Sequence, residues 1–523
     1  MNKNLINKNY YNKLKYQQYQ QYQQSLILKN EFLKNEFDEP IVIDLIINSS
    51  NINIKTNKFK FEKTININKE MNYPFIINIE NKNYIYYRND TKDSILKPDH
   101  ETTKRLILED FDSIKDDTNY ELKLGIANHN FRLFNINNKL YGIGGQACLK
   151  INYDEIKNTT NKTYLNYHKD NNIFIKDNSI NNSFGNKIYN PKIICPYHAN
   201  GLHLLLFNDI NNNIYIKENN ELPIISGIMN GRHDGHYGFC NNKDIDKSRG
   251  GLTVFDSSTS ILFNYNDNKY YLYQRANIGT GIRYIQYITS TNLIDWSDFN
   301  LININPKIDL FKNNYYYNNF FSIKDINIYL GLLPRNKKNS EGYNGLDNKE
   351  YLELYYSKDC INWNYIGIMH EVEYSVLEDN SEYIILGAPI IKNNKYYFYT
   401  ANIKNKLINI FSIEKNRFSS AYTIENDKIS KIDLKLIKLN ELQIKINFKT
   451  YKNGYIKIQL LNNNKQIIDN FSFNDFDIIK ENLDDLDYTV SWKNNNNIPN
   501  NEIYIEIEGM NFEIFLLNNL VIY

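Results

Sequence analysis

An Asn-Lys-type turn followed by an aromatic strand occurs five times along this 523-residue chain. The copies read NKNYIYYRN (Asn81 to Asn89), NKLYGIGGQ (Asn138 to Gln146), NKYYLYQRA (Asn268 to Ala276), INIYLGLLPR (Ile326 to Arg335) and NKYYFYTAN (Asn394 to Asn402). Around them, short runs of Ile, Tyr, Phe and Val alternate with Asn, Lys and Asp, which is the period-2 pattern of half-buried strands. Long helical periodicity is absent, so the chain reads as all-β. Copies spaced by roughly 55 to 70 residues each leave room for one blade of four antiparallel strands, and five of them predict a five-bladed β-propeller. One interval is stretched by a polar insertion (Ile151 to Asn190), read as a long loop on one face. The blade motif stops near residue 415, and the alternating strands that follow predict a separate β-sandwich. Residues 1–40 are a low-complexity, Gln/Tyr-rich polar arm. The expected domains are therefore 1–40 (arm), 41–415 (propeller) and 416–523 (sandwich).

Composition narrows the function classes. Lys and Arg (61) balance Asp and Glu (60), which argues against a nucleic-acid partner held by many phosphate contacts. No apolar run approaches the roughly 18 residues of a membrane span, and the first thirty residues lack the apolar core and cleavage site of a signal peptide. The expectation is a soluble protein, cytoplasmic at synthesis, with no membrane partner. Cys148, Cys195, Cys240 and Cys360 are scattered without metal-ligand spacing, so they read as free thiols, with no metal and no cofactor expected. Asn recurs in almost every block of ten, with Ile and Lys close behind, a bias that an AT-rich genome writes.

A second element follows two of the aromatic strands: TSTNLIDWSDF (Thr289 to Phe299) and YSKDCINWNYI (Tyr356 to Ile366), with Ser and Trp six residues apart. Two of the three Trp in the chain fill this slot. The element resembles the aspartate-box turn of sugar-processing propellers, a structural staple of the outer blade edge. Together with the order HNFRLF, GIGGQ, GLTVFDSSTS, NKYYLYQRANIGTGIRYIQYITSTNLIDW, YYYNNFFSIKDINIYLGLLPR and LYYSKDCINW, it makes the chain resemble bacterial five-bladed-propeller proteins of the glycoside-hydrolase type, relatives of the invertase and arabinanase superfamily. RFSSAY (Arg417 to Tyr422) and TVSWK (Thr489 to Lys493) are similar to the sandwich that follows the propeller in those proteins. The resemblance spans about residues 70 to 520 and is strongest from Gly251 to Trp296.

Glycoside hydrolysis needs one carboxylic acid to protonate the leaving oxygen and a second carboxylate to attack or to activate water. The resemblance implies that such carboxylates sit on inner strands around the central tunnel. Asp256, in VFDSST, matches the Phe-Asp-Ser motif and is costly in an apolar strand unless hydrogen-bonded or functional. Glu101, in HETTK, matches an acidic position of the family. Glu371, with Glu373 beside it in MHEVEYSV, is an alternative acid. Binding candidates are Arg275 and Arg283, which flank ANIGTG and offer planar forks of donors, Arg132 in HNFRLF, and His233, Asp234 and His236 in the Gly-rich GRHDGHYGF. One departure stands out. Where the family has an Asp in the second blade, NFRLFNINNK offers Asn135, Asn137 and Asn138, and Asn is neither nucleophile nor base.

The leading expectation is a glycoside hydrolase acting on a furanose- or deoxysugar-containing glycan. The alternatives are a propeller that binds carbohydrate without turnover and a propeller used as a protein-interaction platform.

Overall fold

The computed structural model describes residues 46–89, 101–110, 112–146, 180–181, 188–189, 201–218, 224–226, 237–238, 258–278, 283–297, 300–307, 313–315, 317–323, 328–338, 346–373, 383–402, 406–434, 436–439, 443–493, 495–498, 502–518 and 520–521. The fold is all-β, a five-bladed propeller joined to a β-sandwich. From axis to rim, blade 1 contains Asn72–Ile79, Lys82–Asn89, Thr102–Glu109 and Ser113–Asp116. Blade 2 contains Arg132–Ile136, Lys139–Gln146, Gly201–Asp209 and Ile214–Lys217. Blade 3 contains Ser260–Asn264, Lys269–Ile278, Arg283–Ser290 and Asn300–Leu301. Blade 4 contains Phe320–Ile323, Ile328–Lys338, Leu346–Ser357 and Asn362–Glu373.

Blade 5 is assembled from both ends of the propeller. Ile390–Lys392, Lys395–Asn402 and Leu407–Glu414 form its inner three strands, and Lys60–Asn66, which precedes blade 1, is its outer strand. This pairing closes the ring and leaves no open blade edge where the ring begins.

The aromatic strands are explained by what flanks them. Each is the second strand of a blade, packed on both faces by neighbouring blades, so both sets of alternate residues are buried. Tyr84 and Tyr86 face blade 2, whereas Ile85 and Tyr87 face blade 5. Tyr271 and Tyr273 pack on blade 4, and Tyr270 and Leu272 on blade 2. Tyr396 and Phe398 pack on blade 4, and Tyr397 and Tyr399 on blade 1. Each neighbouring pair of blades thus shares one apolar cluster, and the cluster between blades 5 and 1 completes the circle.

The turns feeding these strands need left-handed backbone. Asn137 and Asn138 have φ of 50° and 60°, Asn393 and Asn394 50° and 57°, and Glu80 and Asn81 50° and 64°. Asn tolerates this region better than other side-chain-bearing residues, and two successive positive φ values match the twist of a two-residue hairpin. Among the described residues, Asn supplies fifteen of the twenty-three non-glycine positions with positive φ. The Asn excess is therefore partly structural.

The Ser–Trp elements are turns built from side-chain caps. Ser357 Oγ accepts the amides of Asp359 and Cys360 (3.3 and 2.9 Å), and Asp359 Oδ1 accepts those of Ile361 and Asn362 (2.9 and 2.8 Å). Ser290 and Asn292 repeat the pattern in blade 3. Trp363 is fully buried between blades 3 and 4.

The N-terminal boundary differs from the expected one. Ile46–Ser50 and Ile52–Thr56 belong to the sandwich, where they pair with Ser430–Leu434 and Ser419–Thr423. A strand that must pair across more than 360 residues carries no local mark of its sheet. The sandwich core gathers Ile446, Phe448, Ile456, Ile458 and Trp492 beneath the 17-residue strands Lys445–Leu461 and Glu502–Asn518.

Where the chain crosses between domains, Thr56 Oγ1 donates to Ile366 O (2.6 Å) and the Phe59 amide to Met369 O (3.0 Å). Gly367 lies under Thr56 with φ of 155°, and a Cβ there would come within 2.2 Å of Thr56 Oγ1. Gly367→Ala is expected to cost about 1–3 kcal/mol through strain and overpacking, read as a lower unfolding midpoint in urea. A midpoint equal to wild type would refute the packing.

Glu513 of the sandwich is buried, yet both its oxygens are engaged, by Ser420 Oγ (2.5 Å), Lys55 Nζ (2.9 Å) and Tyr451 Oη (2.7 Å). Burial pushes its carboxyl up, but the two hydroxyls and the ammonium outweigh that and hold it below its ordinary 4.5. The folded form thus binds this proton less readily than the unfolded chain, so stability from Glu513 is complete above pH 4.5 and is lost as pH falls through the lower folded value. A Glu513→Gln variant should show a shallower fall in melting temperature below pH 4.5 than wild type; parallel curves would exclude the linkage.

Candidate active site

The inner strands of the five blades run in the same direction along the axis, so the residues just before them meet at one end of the tunnel. Tyr73 comes from blade 1, Asn130 to Arg132 from blade 2, Ser258 from blade 3, Asn318 and Asn319 from blade 4, and Leu386 and Gly387 from blade 5. Polar contacts knit them together. Ser258 Oγ donates to Asn318 O (3.1 Å), and Asn318 Nδ2 donates to Ser258 O (2.9 Å). Asn319 Nδ2 donates to Gly387 O (2.9 Å), and the Ile76 amide to Leu386 O (2.7 Å). Arg132 crosses from blade 2, its Nη2 lying 3.3 Å from Asn319 Oδ1 and 3.5 Å from Leu386 O.

Glu101 stands beside this ring, just ahead of the third strand of blade 1. It is buried, and both carboxylate oxygens lie 3.0 Å from His129 Nδ1. Arg88, from the end of the second strand, brings Nε to 3.9 Å from Glu101 and Nη1 to 2.8 Å from Asn130 Oδ1. Arg88 Nη1 is also 3.2 Å from His129 Nδ1. One ring nitrogen cannot both donate to Glu101 and accept from Arg88, and an Nδ1–H facing the carboxylate leaves Arg88 Nη1 satisfied by Asn130. Asn128 Nδ2 fixes the backbone by donating to Glu101 O (2.8 Å). The Arg88 guanidinium lies over the Tyr73 ring at 4.8 Å, and Tyr73 meets Tyr317 edge-on at 5.9 Å. Tyr73 has φ of 48°, a backbone position that costs about 1–3 kcal/mol for such a residue and that clusters at functional sites.

A second arginine–glutamate pair lies in blade 4, on the face toward blade 3. Arg335, in the second strand, donates to Glu353 Oε1 through Nε (2.7 Å) and Nη2 (2.5 Å). Tyr315 and Tyr355 donate to Glu353 Oε2 (3.1 and 2.7 Å). Burial works against the Arg335 charge, but Glu353 outweighs it and raises the pKa above the ordinary value. Burial, then the Glu353 charge, pushes both phenols well up. Every oxygen of Glu353 is occupied, which makes it a structural carboxylate.

Of the residues expected from sequence, Glu101 and Arg132 come together at this end of the tunnel. Arg275 is buried at the blade 3 position equivalent to Arg88. The backbone of Arg283 pairs with Asn277. Glu371 requires correction: it is exposed on the rim strand Asn362–Glu373 of blade 4, away from the axis, where its Cα pairs with Tyr351. Asp256, His233, Asp234 and His236 lie outside the described residues. Asn137 and Asn138 form the hairpin turn at the far end of blade 2, and Asn135 Nδ2 donates to Asn78 O (2.8 Å), so none of the three lies at this mouth. Sequence reading missed His129, Asn318, Asn319 and Glu353. His129 is the first residue of the HNFRLF motif and was available there.

Among the described residues no group of three His, Cys, Asp or Glu could hold a metal ion, and no helix is long and apolar enough to cross a membrane.

No family model and no curated protein matches the chain. Solved structures similar to it include a glycoside hydrolase family 43 arabinoxylan arabinofuranohydrolase from Bacillus subtilis in complex with cellotetraose, at 9% identity over 87% of this chain and 96% of that one, TM-score 0.35. Zg3597, a family 117 glycoside hydrolase of the marine bacterium Zobellia galactanivorans, is similar at 10% identity over 69% and 90%, TM-score 0.32. A GH43_1 enzyme from Xanthomonas citri is similar at 9% identity over 66% and 88%, TM-score 0.36. At these identities the likeness concerns the fold alone.

Proposed function

We propose that the chain is a glycoside hydrolase whose active site is the axial mouth where the five inner strands begin. The observation that carries this reading is the buried Glu101, oriented by His129 and Asn128 beside that mouth. A carboxylate held in one orientation next to a polar crevice is what attack on, or water activation at, an anomeric carbon requires. Asp256, two residues ahead of Ser258 in sequence, is proposed as the second carboxylate. Tyr73 and Tyr317 supply ring faces for a sugar, and Arg132 and Arg275 supply donors for its polar groups. Arg283, His233, Asp234 and His236 stay proposed as binding residues on sequence grounds. The substrate is proposed to be a furanose- or deoxysugar-containing glycan.

A second reading is carbohydrate binding without turnover. It is favoured by the contact of His129 and Arg88 with Glu101, because carboxylate oxygens so engaged are less available to a bound sugar. One experiment separates the two. The full chain is incubated with a panel of polysaccharides and aryl glycosides, release of reducing ends is followed, and the same glycans are offered on an array. Sugar release supports hydrolysis, binding without release supports the second reading, and neither outcome on a broad panel overturns both.

A further inference from the structure

Among the described residues, four arginines that are buried or largely covered face carboxylates. Arg105 donates to Asp117 (2.7 Å), Arg335 to Glu353, Arg417 to Glu414 and Asp484, and Arg88 faces Glu101. Arg132 differs from these four. It is 7% exposed and forms no ion pair with any described residue. Its Nη2 meets two neutral oxygens at the long distances of 3.3 and 3.5 Å, and its Nη1 is buried with no hydrogen-bond partner. Burial pulls its pKa down to about 10, still far above neutrality, so the guanidinium stays charged. A buried charge with no counter-charge is among the costliest arrangements a fold can keep.

Its position gives the cost a purpose. Arg132 opens the inner strand of blade 2 and reaches the starts of the inner strands of blades 4 and 5, at the centre of the proposed site. Gly387 stands opposite, where a Cβ would lie at ordinary contact distance, 3.4 Å, from Arg132 Nη2. Asn319 is anchored by its own bond to Gly387 O, leaving its carbonyl oxygen for Arg132.

We infer that Arg132 is the receptor for an oxyanion carried by the ligand, so that the glycan bound at the axial mouth is an acidic one, bearing a carboxylate or sulfate group. This rests on the mouth being the glycan site and adds the charge of the substrate. The same chemistry would accept a free inorganic oxyanion, which the test keeps apart from an acidic sugar.

The test uses the full chain. Thermal unfolding and calorimetric titration are run with oligogalacturonate and with the neutral galactose oligomer of equal length, and separately with sodium sulfate and sodium phosphate against sodium chloride at matched ionic strength. The expected result is tighter binding of the acidic oligomer than of its neutral counterpart by at least tenfold, and loss of that preference in Arg132→Gln. Arg132→Lys, which keeps the charge, retains part of it. A response to inorganic sulfate or phosphate that depends on Arg132, with no preference between the oligomers, would assign the site to a free anion and overturn the acidic-glycan assignment. Equal affinity for both oligomers with no response to sulfate or phosphate would overturn the inference while leaving glycan binding at the mouth intact. Binding of neither oligomer, together with an inactive substrate panel, would instead count against the proposed function. Should Arg132→Gln fail to fold, the comparison of acidic and neutral oligomers on the wild-type chain still decides the matter.

Discussion

Glu101→Gln is expected to lower kcat by about 10²-fold or more, within the range that a positioned acid–base group contributes, on any glycoside that the panel shows to be turned over. The substitution is close to isosteric. Gln can still accept from His129 Nδ1, which lies 3.0 Å from the carboxylate oxygens. The backbone bond from Asn128 Nδ2 is untouched. What is lost is the charge and the ability to exchange a proton or attack carbon. Because these act only as the bond breaks, the loss should fall on kcat with little change in KM. The melting temperature should move by no more than a few degrees, since about 1 kcal/mol shifts a domain of roughly 150–250 residues by about 2–4 °C and a larger one by less. A structural carboxylate makes the opposite pattern, a marked fall in melting temperature with kcat preserved, and that pattern would remove Glu101 from the reaction.

Glu353→Leu should give the largest stability effect. It leaves Arg335, at 11% side-chain exposure, charged and stripped of two short hydrogen bonds. The hydroxyls of Tyr315 and Tyr355 lose their acceptor at the same time, although they still meet each other at 2.8 Å. Removing one partner of a buried pair typically costs about 3–5 kcal/mol, because the surviving charge has no compensation. Replacing both partners with apolar residues removes that penalty, so Glu353→Leu combined with Arg335→Met should recover most of the loss in equilibrium urea unfolding. A double variant as unstable as the single one would mean that the charge pair is not the source of the effect.

Much of the architecture was legible because it is locally encoded. Turns that demand left-handed backbone are written in Asn, and strands buried on both faces are written in consecutive aromatic residues; both signals repeat with the blades. The position of a residue within a blade is not encoded in this way. Glu371 on a rim strand and Glu101 near the axis each follow a His in sequence and carry no local mark of their place in the blade, and only sheet order separates them. Glu353 was overlooked because an acid in an alternating strand reads as solvent-facing, whereas both faces of this strand are covered. His129 was overlooked because its significance is its contact with Glu101, 28 residues away in sequence. The assignment of Ile46–Ser50 and Ile52–Thr56 to the sandwich rests on partners more than 360 residues distant, beyond any local pattern.

The outer strand of blade 5 also sets a timetable. Lys60–Asn66 is made before any blade, yet its partner Leu407–Glu414 is made after nearly all of them. At about 5–20 residues per second of synthesis, the early strand waits on the order of tens of seconds before its partner exists. Throughout that interval the nascent propeller is an open arc, with an unpaired edge at one end and an apolar blade face awaiting the last blade at the other. Circularity is thus a property that the propeller acquires only once its last blade is made, and the mouth, whose walls include Leu386 and Gly387, acquires its final shape at the same stage.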